Sequence, residues 1–188
     1  MKKFKNIQLA MMITFIGIAA IIFSFQLEKS TQSTPPVHDS SATSSEEAMP
    51  ELHGLYNVVR VVDGDTIVVD IDGAETKIRF IGVDTPESVN PDKSLNTEQG
   101  KIASEFTADM LTGKQIYLEY DTERTDKYGR TLAYVFLSDK FTMVEAELLK
   151  SGMAEVMTIE PNSKYALYFE ELEAEAKQNK VGFWSESN

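Results

Sequence analysis

The sequence has no cysteine and only two histidines, His38 and His53. Without cysteine, a disulfide framework, a thiolate zinc site, a cysteine nucleophile and a lipid-modified cysteine anchor are all excluded. With two histidines, neither inside an obvious helix or strand, we expect no histidine-rich metal cluster and no serine–histidine pair. Any chemistry that the chain performs must therefore depend on other side chains.

Basic residues are also scarce relative to acidic ones. The 188 residues include 18 Lys or Arg and 30 Asp or Glu, which gives a net charge of −12. Lysines and acids balance within residues 1–50, so the whole excess belongs to residues 51–188. This charge argues at first against a nucleic-acid partner, because phosphates attract basic surfaces.

The length of 188 residues is typical of one domain with an additional short segment.

Residues 1–27 are predicted to be a signal peptide or a transmembrane signal anchor. Three lysines precede an apolar run over residues 9–25, which is just long enough to cross a bilayer and favours a cytoplasmic N-terminus. The run ends without the small residues of a cleavage site, which favours the uncleaved anchor. We therefore expect an extracytoplasmic domain, either anchored in the membrane or secreted after cleavage.

Residues 28–50 are predicted to be a disordered linker. The segment is rich in Ser and Thr, contains three prolines and has no aromatic residue, so it cannot bury enough surface to fold. Residues 51–188 are then the folded domain.

The pattern of residues 51–188 predicts strands first and helices later. Asp-Gly pairs separate three β-rich runs, and two further runs follow, which places the strands at 55–62, 67–71, 76–83, 115–120 and 131–137. Helices are predicted over 97–111, from 142 to Gly152, and over 163–179. Five short strands with three helices are typical of a small closed OB-type barrel, a mainly β fold of the α+β class.

The helix predictions include caps and buried faces. Asn96 is expected to cap the first helix, with Ile102, Phe106 and Met110 on its apolar face. Thr142-Met-Val-Glu145 is expected to open the second helix as a capping box. The third helix is expected to bury the stripe formed by Phe169, Leu172 and Ala176.

Three clusters of residues could carry chemistry. Asp63-Gly64-Asp65-Thr66 is either a plain hairpin turn or a turn whose carboxylate binds a hard cation such as Ca²⁺. The segment 79–87 is either a surface ion pair with a turn cap or a phosphate-binding arginine beside acidic ligands. The segment 124–130 is either a solvated turn or a basic loop with an aromatic residue that stacks on a base or sugar.

Together the three clusters resemble the staphylococcal (micrococcal) nuclease family, also called thermonucleases. The resemblance consists of Asp-Gly-Asp-Thr, then Arg-x-x-x-x-Asp-Thr-Pro-Glu, then Arg-Thr-Asp-Lys-Tyr-Gly-Arg, and it extends from about Tyr56 to Trp184. It implies a five-stranded OB barrel with three helices and Ca²⁺-dependent cleavage of DNA and RNA.

The resemblance also implies a role for each matching residue. Asp65 and Asp84 would be carboxylate ligands of Ca²⁺, and Thr85 would add its carbonyl. Glu87 would be the general base. Arg79 and Arg130 would be the two arginines that bind the scissile phosphate. Lys127 and Tyr128 would lie on the 3′ side of the nucleotide.

The residue chemistry is consistent with these roles. A phosphodiester gains negative charge as water attacks it, so cleavage needs positive charge around the oxygens and an aligned nucleophile. One Ca²⁺ and two arginines would supply the positive charge, and Glu87 would activate or orient the attacking water. No histidine is required.

One stretch departs from the family pattern. Two tyrosines and a lysine precede the Pro-Asn of the family's type member, whereas Met157-Thr158-Ile159-Glu160 precede Pro161-Asn162 here. Met157 and Ile159 offer apolar contact without aromatic stacking, so substrate affinity and sequence preference do not carry over.

Two other functions compete with a monomeric nuclease. The first is a catalytically silent OB module that binds nucleic acid or protein at the cell surface. The second is an acidic Ca²⁺-binding structural protein, which would leave Arg79 and Arg130 unexplained.

Overall fold

The computed structural model describes residues 50–186. The predictions for residues 1–27 and 28–49 lie outside this part of the chain. Within residues 50–186, no helix combines the length and the apolar character that a membrane span needs.

The described residues form seven strands, three α-helices and two short 3-10 helices. The strands are β1 (His53–Asp63), β2 (Thr66–Ile71), β3 (Ala74–Phe80), β4 (Gly82–Asp84), β5 (Gln115–Glu119), β6 (Thr131–Leu137) and β7 (Glu155–Met157). The helices are α1 (Glu98–Leu111), α2 (Val144–Lys150) and α3 (Ala166–Gln178), and the 3-10 helices are Lys93–Leu95 and Gly182–Glu186. His53, which the sequence placed in no element, is the first residue of β1.

Five of the strands close into a barrel, in the order β1-β2-β3-β6-β5 with β5 returning to β1. The barrel pairs are antiparallel except for β3 and β6, which run parallel with Arg79 opposite Leu132. The predicted five-stranded barrel with three helices is therefore confirmed. Its core contains β-branched and leucine side chains that are fully buried, among them Ile67, Val69, Ile78, Leu118 and Val135.

The strand predicted over 76–83 forms, but its predicted end is wrong, because β3 ends at Phe80 and Gly82 begins a separate strand. Gly82 has a φ of +82°, and a Cβ there would lie 2.7 Å from the Phe169 ring. The chain therefore leaves the barrel and pairs β4 with β7, with Asp84 opposite Glu155. This small second sheet carries Asp84 to the edge of the barrel.

The cap predicted for α1 is wrong, and the predicted apolar face is correct only in part, since Phe106 and Met110 pack against the core while remaining partly exposed. Thr97, not Asn96, caps the helix, since its hydroxyl accepts a hydrogen bond from the Gly100 amide at 2.9 Å. The buried face is Gly100, Ala103, Thr107 and Leu111, whereas Ile102 is 41% exposed. Small residues face inward because the helix packs closely against the turn after β1 and the loop after β4.

The capping box predicted for α2 does not form. The N-cap is Met143, with no side-chain bond, and the Thr142 hydroxyl instead donates to Asp139 at 2.7 Å. Glu145 turns inward and accepts from the Val135 amide of β6. In α3 the predicted stripe of Phe169, Leu172 and Ala176 is buried, although the helix begins later than expected, at Ala166.

Candidate active site

The hairpin turn between β1 and β2 brings Asp65 into contact with the end of β4. Asp65 is buried, and its Oδ2 accepts hydrogen bonds from the backbone amide of Thr85 at 3.0 Å and from the Thr85 hydroxyl at 3.1 Å. Gly64 permits this approach, because a Cβ there would lie 2.7 Å from the Thr85 hydroxyl oxygen. The turn is therefore part of a site and not only a connection between strands.

Arg79 lies near the end of β3, with its side chain 8% exposed. Nη1 donates to the carbonyls of Phe80 at 3.0 Å and Val83 at 2.8 Å. Nη2 contacts Oδ1 of Asp84 at 2.7 Å and Oδ2 of Asp65 at 3.2 Å. These contacts fix the planar guanidinium in one orientation, as phosphate recognition through paired hydrogen bonds requires.

Asp65 and Asp84 both direct a carboxylate oxygen toward the same nitrogen of Arg79. Partial burial raises the pKa of Asp84; Arg79 lowers it, and the charges of Asp65, Glu155 and Asp63 raise it further. The acidic groups therefore share one small region in which a positive charge is favoured.

Glu87 lies on the loop after β4, next to the N-terminus of α1. Its carbonyl accepts from the Thr97 amide at 2.9 Å, and a Cβ at Gly100 would lie 2.1 Å from that carbonyl oxygen. Burial raises the pKa of Glu87, and the charges of Asp63 and Asp65 raise it further. The side chain remains exposed, so it can reach water.

The loop between β5 and β6 is organised by Asp126. Its Oδ1 accepts from the amides of Tyr128 and Arg130, both at 2.9 Å, and its Oδ2 accepts from Nε of Arg130 at 2.6 Å. Burial raises the pKa of Asp126, but the hydrogen bonds from Arg130 and Tyr128 outweigh that effect, and the net shift is downward. Asp126 thereby orients Arg130, whose guanidinium carbon also lies 5.6 Å from the centre of the Tyr128 ring.

One cavity of about 380 Å³ joins the two arginines. Arg79, Arg130, Lys127 and Tyr128 all line it, so the structure brings these four predicted residues together. Asp65, Asp84, Thr85 and Glu87 do not line it. Arg79 therefore belongs to both groups: it contacts the two aspartates and also faces the cavity.

Met157 and Ile159 also line this cavity, as their position before Pro161-Asn162 suggested. Asn162, also in the lining, was not predicted as a site residue. Its side-chain oxygen accepts from the Glu123 amide and its side-chain nitrogen donates to the Glu123 carbonyl, both at 2.7 Å. Asn162 therefore connects two segments of the cavity lining. In the sequence, only the family pattern at Pro161-Asn162 pointed to this residue.

The donor chemistry around Asp65 and Asp84 fits a hard cation such as Ca²⁺, because both carboxylates turn toward one point and a third oxygen donor, Thr85, is hydrogen-bonded to Asp65. Within residues 50–186, no group of three or more His, Cys, Asp or Glu side chains is arranged as a ready metal site. The positive charge at that point is the Arg79 nitrogen. The calcium assignment thus stays a prediction.

The arrangement combines fixed cations with a nearby carboxylate. Arg79 and Arg130, whose guanidinium groups are N–H donors, both line a cavity of nucleotide size, and Glu87 lies close enough to Asp63 and Asp65 for their charges to act on it. Such donors stabilise the charge that develops when water attacks a phosphodiester.

Comparison with known proteins places the chain in a family. The family model described as "Staphylococcal nuclease homologue" matches residues 77–186. The chain is similar to the thermonuclease of Staphylococcus intermedius, at 39% identity over 96% of this chain and 98% of that protein, and to the thermonuclease of Staphylococcus hyicus, at 39% identity over 90% and 95%. It is also similar to endonuclease YncB of Bacillus subtilis, at 41% identity over 71% of this chain and 64% of that protein.

The matches extend over nearly the whole chain, and the matched region contains the barrel, Arg79, the Glu87 loop and the Arg130 loop. With these residues in place, the chain belongs to the staphylococcal nuclease family and is a nuclease of the micrococcal type.

Proposed function

We propose that the domain is a Ca²⁺-dependent endonuclease that hydrolyses DNA and RNA with little sequence specificity and leaves 3′-phosphate ends. The observation that carries the proposal is the double role of Arg79. Its Nη2 contacts Asp65 and Asp84, and the same side chain lines the cavity that Arg130, Lys127 and Tyr128 also line. A phosphate at the mouth of the cavity therefore lies beside the acidic pair.

Arg79 and Arg130 bind the scissile phosphate in this proposal. Both are held by carboxylates before substrate arrives, Arg79 by Asp65 and Asp84 and Arg130 by Asp126. These contacts hold both arginine side chains beside the cavity before the phosphate gains charge. Lys127 and Tyr128 contact the nucleotide on its 3′ side.

Glu87 accepts the proton of the attacking water. Burial and the nearby charges of Asp63 and Asp65 raise its pKa, which makes it a better proton acceptor than an ordinary glutamate. Ca²⁺ held by Asp65, Asp84 and the Thr85 carbonyl would supply positive charge to the phosphate oxygens and lower the pKa of nearby water. The water oxygen bonds to phosphorus as the bond from phosphorus to the 5′ oxygen breaks; the 5′ oxygen takes a proton from solvent and leaves as a hydroxyl, and the phosphate stays on the 3′ side.

The proposal includes a location. The lysine-flanked apolar run at 9–25 and the Ser/Thr/Pro-rich segment that follows support an extracytoplasmic domain, either anchored in the membrane or released. We propose that it acts there as a monomer on nucleic acid outside the cytoplasm. Mass spectrometry of the N-terminus from native cells distinguishes the anchored form from the released form.

The experiment is a cleavage assay of the full chain on DNA and RNA, with Ca²⁺ and then with excess chelator. We expect cleavage with Ca²⁺, none after chelation, and a large loss of rate for Glu87→Gln at unchanged fold. Glu75→Gln is the matched control, because Glu75 is 61% exposed and its ion pair with Arg60, at 3.7 Å, lies on the surface. Cleavage that survives both chelation and the loss of Glu87 would falsify the mechanism.

The two competing functions give different outcomes in the same experiments. A silent binding module would retain DNA under chelation without cutting it. An acidic structural Ca²⁺ protein would bind Ca²⁺ in calorimetry with no response to an added nucleotide bisphosphate, whereas a nuclease site binds the two together.

A further inference from the structure

The strongest unassigned feature is the hydrogen-bond cluster of Asp63, Ser88 and Ser104. Asp63 is buried, and its Oδ1 accepts from the Ser88 hydroxyl at 2.6 Å, from the Ser104 hydroxyl at 3.0 Å and from the Gly64 amide at 2.9 Å. The two serine oxygens lie 2.7 Å apart. The cluster therefore joins three separate pieces of chain, namely the β1–β2 turn, the Glu87 loop and α1.

The cluster fixes the chain just after Glu87, and Asp65 fixes the chain just before it. Asp65 binds Thr85, two residues before Glu87, while Asp63 binds Ser88, one residue after it. The two aspartates are themselves two residues apart on one tight turn. The short segment that presents Glu87 is thus fixed at both ends by the same turn.

Helix α1 is fixed to the same turn. Ser104 contacts Asp63, and one helical turn later the Thr107 hydroxyl donates to the Gly64 carbonyl at 2.6 Å. The helix in turn supports the Glu87 backbone through Thr97 and Gly100. A shift of Ser88 therefore moves Glu87 relative to both Asp65 and Arg79.

We propose that Asp63, Ser88 and Ser104 are positioning residues for Glu87, which act on the rate of cleavage and not on substrate binding. The inference rests on the proposed function, since it assumes that Glu87 assists the attacking water. A displacement of about 1 Å in a catalytic group lowers rate by as much as about 10²-fold, so the effect falls on kcat. None of the three side chains lines the cavity of Arg79 and Arg130, so we expect KM to depend on the residues that line that cavity and not on these three.

The serines give the cleanest test, because changing them alters no charge near the acidic pair. We expect Ser88→Ala and Ser104→Ala each to lower kcat by about 10-fold to 10²-fold, with KM changed less than about twofold. Ser88→Thr keeps a hydroxyl and restores at least part of the rate. Ser94→Ala is the matched control: Ser94 lies on the same loop, and its hydroxyl also donates to an aspartate, Asp92, at 2.7 Å, but both are exposed.

A second comparison separates positioning from a general loss of structure. The Ser88→Ala change is measured again in the Glu87→Gln background by single-turnover cleavage. If Ser88 acts through Glu87, the second change adds almost nothing to the first. Equal rate losses in both backgrounds, or a wild-type kcat for Ser88→Ala, overturn the inference. If the unaltered chain does not cleave DNA with Ca²⁺, the proposed function fails instead.

Discussion

Two arginines have the same proposed role but different surroundings. Arg79 is 8% exposed and neutralises the buried Asp65, whereas Arg130 is 30% exposed. We expect Arg79→Ala and Arg130→Ala each to lower kcat by about 10³–10⁵, as for other arginines that stabilise phosphoryl transfer. Only Arg79→Ala also costs folding stability, by about 3–5 kcal/mol, because it leaves a buried carboxylate unpaired.

Parallel kinetics and denaturant unfolding of both variants test this contrast. Equal stability losses for the two variants would contradict it. Arg60→Ala, with its exposed guanidinium, should leave both kcat and the free energy of unfolding unchanged.

The buried carboxyl of Glu145 is expected to make the free energy of unfolding depend on pH. The pKa of Glu145 is raised well above the ordinary value of 4.5, chiefly because the side chain is buried. Hydrogen bonds to the carboxyl, including one from the Val135 amide, oppose this rise. The negative charge of Glu119 raises the pKa further, and the positive charge of Arg79 lowers it. The folded state therefore favours the neutral acid. The free energy of unfolding falls as pH rises above about 4.5, until the folded-state pKa is passed.

Glu145→Gln removes this dependence, because the amide keeps an acceptor for the Val135 amide and carries no charge. We expect the variant to match the parent within about 0.5 kcal/mol near pH 4.5 and to be more stable at neutral pH. Denaturant unfolding at several pH values measures the difference. Glu171→Gln, at an exposed position of α3, controls for the loss of one negative charge.

Single residues differ in how far the sequence reveals them. Asp65, Arg79 and Asp84 were predicted as site residues from the resemblance to the nuclease family, and the fold does bring the three side chains together. Glu145 was assigned to a helix cap from local spacing, but a backbone amide of β6 provides its partner instead. Local patterns cannot anticipate a partner that comes from another element.

At the scale of elements, the contact between α1 and the Glu87 loop depends on Gly100. A Cβ at that position would lie 2.1 Å from a backbone oxygen that cannot move aside alone. We expect Gly100→Ala to push the helix away from the loop, lowering stability by about 1–3 kcal/mol and reducing kcat as well.

Gly113→Ala is the control for that change. Gly113 follows α1 with a φ of +71°, and no atom lies within 4 Å of the point that a Cβ would occupy, so alanine there strains the backbone without pressing on the loop. It should lower stability while kcat stays as in the parent. A Gly100→Ala variant with full kcat would show that the close contact has no bearing on the site.

The apolar part of the cavity lining gives a further prediction. Ile159 lines the cavity and is 61% exposed, and it supplies apolar surface without an aromatic face. Ile159→Tyr should lower KM for single-stranded DNA by about tenfold, since stacking on a base contributes about 1–3 kcal/mol, while kcat stays the same. Ile159→Leu is the control, and an equal KM for both variants would contradict a stacking role.

Elements were predictable where one periodicity dominated. Strand β2 is rich in β-branched residues and β3 alternates polar with apolar residues near its end, and β6 has the predicted bounds of 131–137. The inward face of α1 was not predictable from its largest apolar residues, because Gly100 and Ala103 permit the close packing that the loop requires. The three-residue strands β4 and β7 are too short to show a period and exist because they pair with each other.

At the scale of the molecule, the acidic surface limits how strongly the enzyme binds its polymer. The proposed phosphate and nucleotide contacts include three cationic side chains, those of Arg79, Lys127 and Arg130, on a chain with a net charge of −12. For single-stranded DNA we therefore expect log KM to rise with log salt with a slope no steeper than about 2.

Steady-state kinetics at saturating Ca²⁺ over a range of monovalent salt measure this slope. Lys127→Ala should reduce it by about 0.7, as expected for one phosphate contact on a single strand. A much steeper slope would mean that basic residues outside the cavity also bind the polymer. The acidity thus bears on affinity and leaves the chemistry of the site intact.

The parallel pairing of β3 with β6 has a consequence for folding. The β1–β3 meander forms from contacts that are near in sequence, but it contains only Asp65 and Arg79 of the site. Asp84, Thr85, Glu87, Lys127, Tyr128 and Arg130 all lie between β3 and β6, and pairs that are distant in sequence close late. We therefore expect a chain that is still emerging from the ribosome not to cleave nucleic acid, because the proposed active site is complete only when the barrel closes.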